Sequence, residues 1–139
     1  MSLLLDTNVL SELRKGTRSN PHLRRWFESV GADEIYLSVL VIGEVRRGVE
    51  LVRRRDGAQA AALERWLTLV TRDHSERILP VDQPVAELWG RLTATRPGPV
   101  IDTLMAATAL VHGLVLVTRN IRDVTWTGAR CLNPFLAKS

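Results

Sequence analysis

Four acids are placed where they could share chemistry: Asp6, Glu44, Asp102 and Asp123. Asp6 directly follows the apolar run 3–5. Glu44 falls in the second turn of a helical pattern that begins after Ser38. Asp102 lies in the first turn of an alanine-rich helical pattern, and Asp123 lies a short loop beyond the apolar run 114–117. Carboxylates gathered in one place repel each other unless cations neutralise them, and an all-oxygen donor set suits hard ions such as Mg²⁺ or Mn²⁺. Such an ion can activate water and stabilise charge on a phosphodiester. The three histidines, His22, His74 and His112, are scattered among surface and helix-end positions. No Cys/His spacing suits zinc, and no Ser or Cys stands in a nucleophile motif with a histidine.

Each acid also has an ordinary structural use. Asp6 suits the N-cap of a helix starting at Thr7. Glu44 suits a solvated helix face, Asp102 complements a helix N-terminus, and Asp123 fits a polar loop. Their joint occurrence with Asp6-Thr7-Asn8, Thr118-Arg119-Asn120 and the alanine-rich helix between them favours a shared site.

The elements that must position these acids alternate between short apolar runs and helical patterns, the pattern of an α/β domain with a mostly parallel sheet. Strands are expected at 3–5, 35–37, 77–79 and 114–117, with a weak one near 129–132. The run at 114–117 is apolar throughout, as in a strand covered on both faces. Helices are expected from Thr7 to about Arg14, with Gly16 as the stop, and from Asn20-Pro21 onward. Others follow Ser38, run from Ala58 to about Thr71 and from Pro84 to Thr95, and run from Pro99 to His112 before Gly113. Trp26, Trp66 and Trp89 fall on helix faces, as core or interface residues. In open parallel sheets ligands bind beyond the carboxyl ends of the strands. Asp6, Glu44 and Asp123 all fall near such ends, whereas the place of Asp102 depends on tertiary packing.

With 139 residues, one domain spanning 1–139 is expected, large enough to bury a core. No apolar run approaches the roughly 18 residues that span a bilayer. Cys131, the single cysteine, has no internal partner and reads as core. Together with the lack of a secretory-signal pattern at 1–8, this makes the cytoplasm the expected location. The net charge is +4, with 17 arginines against two lysines, and the pI is about 10.2. Such a balance favours a polyanion or an acidic partner, and arginine grips phosphate or carboxylate through two parallel hydrogen bonds. Arg46, Arg47, Arg53, Arg54 and Arg55 crowd one helix and its end. They suit either a solvated face or a contact with such a partner. Trp126, in the loop after Asp123, offers a stacking surface for a base.

Three segments, LLLDTNVLSEL (3–13), LSVLVIGEVRRGVEL (37–51) and VIDTLMAATALVHGLVLVTRN (100–120), followed by IRDV (121–124) and CLNPF (131–135), occur in a characteristic order. In this the chain resembles the PIN-domain ribonucleases, and most closely the VapC-type toxins of toxin–antitoxin pairs. The resemblance implies a three-layer sandwich of helices around a central parallel sheet. It implies an acidic pocket for Mg²⁺ or Mn²⁺ formed by Asp6, Glu44, Asp102 and Asp123. Thr118 and Asn120 would orient the last acid or the water, and Asn8 would support the first acid. It also implies RNA cleavage leaving 5′-phosphate and 3′-hydroxyl ends, a homodimer, and inhibition by a VapB-type antitoxin that alone contacts DNA. That antitoxin's C-terminal segment would wrap the toxin. Two departures bear on the site. Val124 stands where many relatives have Phe, which would loosen the loop around Asp123. The stiff Arg96-Pro97-Gly98-Pro99 segment would narrow or reshape the substrate entrance.

Two other classes are weighed by residue type. A phosphatase of the haloacid dehalogenase kind needs a second Asp two residues after the first, and that position is Asn8. A binding module that keeps the fold without turnover would not need all four acids.

Overall fold

A computed structural model describes residues 1–136 of the chain. Its centre is β1 (Leu3–Leu5), three leucines buried to the last atom or nearly so. Burying one such side chain contributes about 2 kcal/mol. The strand stops at Asp6, and α1 (Thr7–Leu13) begins at once. Asn20 caps α2 (Pro21–Glu28) by accepting from the N–H groups of His22 and Leu23. β2 (Ile35–Ser38) leads into α3 (Val39–Arg53), whose first turn is held by Ser38 accepting from Leu40 N–H. Asp56 caps α4 (Gly57–Asp73) through Gln59 N–H. Next come β3 (Ile78–Leu79), α5 (Gln83–Thr95), α6 (Val100–His112), β4 (Val115–Val117) and β5 (Cys131–Leu132).

All four strand pairings are parallel, in the order β3-β2-β1-β4-β5. From β1 the chain moves outward to β2 and β3, then crosses to β4 on the other side. The order therefore reverses between β1 and β4, where Leu5 is in register with Val117. A reversal of this kind opens a crevice at the carboxyl ends of the two strands. Asp6 and Thr118 are the first residues beyond those ends.

Packing explains how the remaining acids approach that crevice. Val41, Val45 and Val49 form the buried face of α3, and Leu67 and Val70 that of α4. On α6, Ala106, Ala107 and Ala109 are fully buried, so small side chains let this helix lie close to its neighbours. Gly113 ends it at φ +66°, a left-handed conformation that glycine adopts without a Cβ penalty.

Several expected boundaries move. Helix α1 ends at Leu13, and Gly16 (φ +59°) opens a separate 3-10 turn, Gly16–Arg18. Arg77 closes another 3-10 turn before β3, and its Nε donates to the Ile35 carbonyl at 2.9 Å. Leu114 precedes β4, although it is buried like the strand. The C-terminal strand is confined to Cys131–Leu132, where Cys131 is half-buried and burial pushes its thiol up. Trp26, Trp66 and Trp89 are each half-buried, and the first two pack against the core. No helix among the described residues is long and apolar enough to cross a membrane. The expected single domain includes residues 137–139, which lie outside the described part.

Candidate active site at the carboxyl edge of the sheet

Asp6 is the best-held of the four acids. Its backbone N–H donates to the Val117 carbonyl at 3.0 Å, continuing the pairing of β1 with β4 by one residue. Its backbone is extended (φ −72°, ψ 157°), as an N-cap requires. Oδ1 accepts from Thr7 N–H at 2.7 Å, and Oδ2 accepts from the Thr118 hydroxyl at 2.8 Å. Asp6 therefore caps the helix and stands at the carboxyl end of β1 beside Thr118.

From Asp6 the polar line runs both ways along the sheet edge. The Thr118 oxygen also accepts from Asn120 N–H at 3.1 Å, which turns the chain after β4. The Thr7 hydroxyl donates to Glu44 Oε1 and ties the second turn of α3 to the start of α1. Thr118 is buried, whereas Glu44 and Asn120 are exposed. Asn8 does not take the supporting role expected of it. It is the second residue of α1, is exposed and lines the adjoining groove, and the bonds to Asp6 come from Thr7 and Thr118. Thr7 was not singled out in the sequence, although it sits inside the Asp6-Thr7-Asn8 motif.

Asp102, in the first turn of α6, is half-buried. Burial raises its pKa most, followed by the charges of Asp6, Asp123 and Glu44. Asp102 thus lies near enough to the other three acids for their charges to oppose its ionisation. Asp123 ends the exposed 3-10 turn Ile121–Asp123. The acids do not form a closed cage: among the described residues, no three His, Cys, Asp or Glu side chains are near enough to enclose an ion alone. That arrangement fits Mg²⁺, which keeps several waters and is held by one or two carboxylates together with substrate phosphates. The donor set and the mutual repulsion at Asp102 both fit such an ion.

The basic helix face is partly committed within the chain. Arg46 reaches Glu64 at 2.6 Å and Glu50 at 3.2 Å, and Arg53 reaches the same two acids at 2.8 and 3.1 Å. Arg46 and Arg53, candidates for RNA or antitoxin contact, thus tie α3 to α4. The i, i+3 and i, i+4 spacing around Glu50 puts them on one face, and Glu64 meets that face from α4. Arg47 and Arg54 are exposed and form no ion pair among the described residues. Trp126 is half-buried; its indole N–H donates to the Asp123 carbonyl at 2.9 Å, and Arg96 lies 5.2 Å from its ring centroid. One face and the N–H are therefore engaged by the protein itself.

Beside the acids lies an open groove of about 620 Å³. Thr7, Glu44 and Asn120 line it, Val45, Val49, Leu63 and Trp66 provide apolar lining, and Arg14 and Arg119 add positive charge, whereas Lys15 is paired at 3.0 Å with Glu12, which also lines the groove. The Arg14 guanidinium stands 5.9 Å from the Trp66 ring centroid. None of these cations was a sequence candidate. They come from the two residues that follow α1 and from the residue after Thr118, not from the arginine run that dominates the sequence.

Residues 3–122 match the PIN domain family. The chain is 31% identical over 139 residues to Toxin FitB of Neisseria gonorrhoeae, covering 96% of this chain and 98% of that protein. It is 30% identical over 141 residues to VapC ribonuclease Y4jK of Sinorhizobium fredii, covering 96% and 97%. The solved structure of FitAcB from Neisseria gonorrhoeae is similar with a TM-score of 0.87 at 30% identity, over 96% of this chain and 98% of that one. DNA-bound VapBC from Salmonella typhimurium gives a TM-score of 0.71 at 26% identity, over 96% and 98%. The chain belongs to the PIN-domain family and stands within it beside the FitB and VapC toxins.

Proposed function

We propose that the protein is a Mg²⁺- or Mn²⁺-dependent endoribonuclease and the toxin of a type II toxin–antitoxin pair. The observation that carries this is the placement of Asp6 at the reversal of the sheet, pinned by the Thr118 hydroxyl and the Thr7 N–H, with Glu44 tied to the same Thr7 and Asp102 near enough to be opposed by its neighbours' charges. Relatives named as a VapC ribonuclease and as Toxin FitB support it.

Asp6 and Asp102 would hold the ion, with Asp123 and Glu44 adding negative charge beside it. A bound divalent cation supplies charge neutralisation and water activation at neutral pH. The protein supplies orientation. Thr118 and the Thr7 N–H fix both Asp6 oxygens, and the Thr7 hydroxyl fixes Glu44. The phosphodiester is placed so that water adds to phosphorus while the bond to the 3′ oxygen breaks. The products are a 3′-hydroxyl and a 5′-phosphate.

The partner would be a VapB-type antitoxin, through which alone the complex would meet DNA. Solved relatives include FitAB bound to a DNA fragment. The groove beside the acids suits an antitoxin segment with an apolar face and acidic residues, because apolar lining and positive charge occur there together. A homodimer belongs to the same reading. The α3–α4 face, where Val39 is 41% exposed beside the half-buried Ile42, offers an apolar surface for a second copy.

End-mapping of RNA cut by the purified protein tests the activity, with EDTA and Asp6→Asn as controls. The expected products carry 5′-phosphate and 3′-hydroxyl ends, and both controls are inactive. Cleavage in EDTA, or 2′,3′-cyclic phosphate ends, would refute the metal–water mechanism. A folded protein that binds RNA or antitoxin without cutting RNA would be a binding module instead.

A further inference from the structure

Asp123 and Asp102 reach the site from different segments: a short 3-10 turn and the first turn of α6. A single 3-10 turn has poor hydrogen-bond geometry and holds its shape weakly. The structure nevertheless anchors this one. Trp126 donates its indole N–H to the Asp123 carbonyl at 2.9 Å. Its ring lies 5.2 Å from the Arg96 guanidinium, on the segment that leads into α6.

Gly98 lies so close that a Cβ there would meet Trp126 Cζ2 at 3.5 Å and Thr103 Cγ2 at 2.9 Å. Thr103 directly follows Asp102. Its hydroxyl donates to the Pro99 carbonyl at 2.7 Å and accepts from Trp89 Nε1 at 2.9 Å. Trp126 thus contacts the Asp123 turn on one side and the α5–α6 segment on the other. Val124, next to Asp123, is 2% exposed, and the aromatic ring at this loop comes from position 126.

We propose that Trp126 is a positioning residue, which clamps the 121–127 loop to the 96–99 segment and so fixes Asp123 relative to Asp102. It rests on the assignment of these two acids to the metal site given above. A side chain that orients a ligand without touching the ion typically changes metal affinity by about 10- to 100-fold when removed. A cation–π contact and one hydrogen bond to a carbonyl suit that role, because they restrain the backbone and leave the carboxylate free.

The test measures Mn²⁺ affinity by calorimetry, and amide hydrogen exchange at 121–124, on the full chain. It compares the wild type with Trp126→Ala, Trp126→Phe and Asp123→Asn. Trp126→Ala should weaken Mn²⁺ binding about tenfold and speed exchange at 121–124. Trp126→Phe keeps a ring beneath Arg96 and loses the N–H, so it should fall between wild type and alanine in both readouts. If Trp126→Ala does not fold, Trp126→Phe decides by the same two measurements. Weaker binding in Asp123→Asn with wild-type affinity in the tryptophan variants would overturn the positioning role and leave the metal site intact. Unchanged affinity in Asp123→Asn would remove that acid from the site and overturn the proposal at its base. Unchanged exchange in the tryptophan variants would overturn the clamp itself.

Discussion

The Thr118 hydroxyl donates to Asp6 Oδ2 at 2.8 Å across 112 residues of chain, joining the ends of two adjacent strands. The same oxygen accepts from Asn120 N–H, so one buried hydroxyl aims the first acid and shapes the loop that leads to the last. Thr118→Val keeps the volume and removes both bonds. A hydrogen bond to a charged group is worth about 1.5–3 kcal/mol, so the variant should melt several degrees lower. It should also cut RNA much more slowly than the melt explains, whereas Thr118→Ser should recover most of the rate. Equal rates for Val and Ser variants, measured well below both melting points, would count against an orienting role.

The raised pKa of Asp102 gives stability a pH dependence with a definite sign. Burial and the other three acids favour the protonated form in the fold, so the native state binds this proton more tightly than the unfolded chain does. Its contribution is fully present below the unfolded pKa and is lost as pH rises through the folded one. In the metal-free protein, Asp102→Asn should therefore raise the melting temperature at neutral pH. It should also flatten the decline expected on going from acid to neutral. A variant that melts lower than wild type at neutral pH would show that the carboxylate is stabilised by contacts, not strained by its neighbours.

These relationships differ in how far local sequence reveals them. The run Leu3-Leu4-Leu5 before Asp6, the cap-and-proline pair Asn20-Pro21 and the stop at Gly113 are short-range signals, and each corresponds to an element boundary in the fold. The approach of Asp102 to Asp6 is different: it arises because alanines on α6 permit close packing, and periodicity alone does not say against what. Thr7 meets Glu44 across 37 residues, and Arg46 meets Glu64 across 18. Arginine clustering suggested a polyanion surface, yet two of those arginines pair with acids of their own chain because α4 folds back on α3. The absence of Phe after Asp123 suggested a loose loop, but the indole of Trp126 anchors it.

Metal should stabilise the fold by binding the native state alone. At a free concentration a hundredfold above Kd the gain is about 2.7 kcal/mol, which is several degrees in a melt. Mg²⁺ and Mn²⁺ should both act, and Asp102→Asn should reduce the shift. An unchanged midpoint at millimolar metal, together with RNA cleavage in EDTA, would exclude the metal-dependent mechanism.

Association with the antitoxin should depend on salt. Arg14 and Arg119 place positive charge at the groove beside the acids, and charge of this kind speeds encounter with an acidic segment through a field that salt screens. Raising ionic strength should lower the association rate more than it raises dissociation. Arg14→Gln should weaken that salt dependence, and Arg46→Gln should leave it nearly unchanged because Arg46 is already paired with Glu50 and Glu64. A larger effect at Arg46 than at Arg14 would place the contact on the α3–α4 face.

The four acids should not be equally sensitive to removal of charge. Asp6 is buried, directly follows a strand and has both oxygens fixed; Asp102 lies on a helix held by buried alanines. Hard cations demand fixed ligand geometry, so Asp6→Asn and Asp102→Asn should nearly abolish cleavage and relieve growth arrest. Asp123 is exposed on a short turn, where water can replace a carboxylate oxygen at smaller loss. Asp123→Asn should therefore retain measurable cleavage at raised Mn²⁺, with its backbone still fastened by Trp126. Each variant must first melt like the wild type or higher, since removing a repelling charge favours the metal-free fold. Full activity in a folded Asp6→Asn protein would refute the site. A wholly inactive Asp123→Asn protein would leave the site standing and show that the last acid is as indispensable as the first.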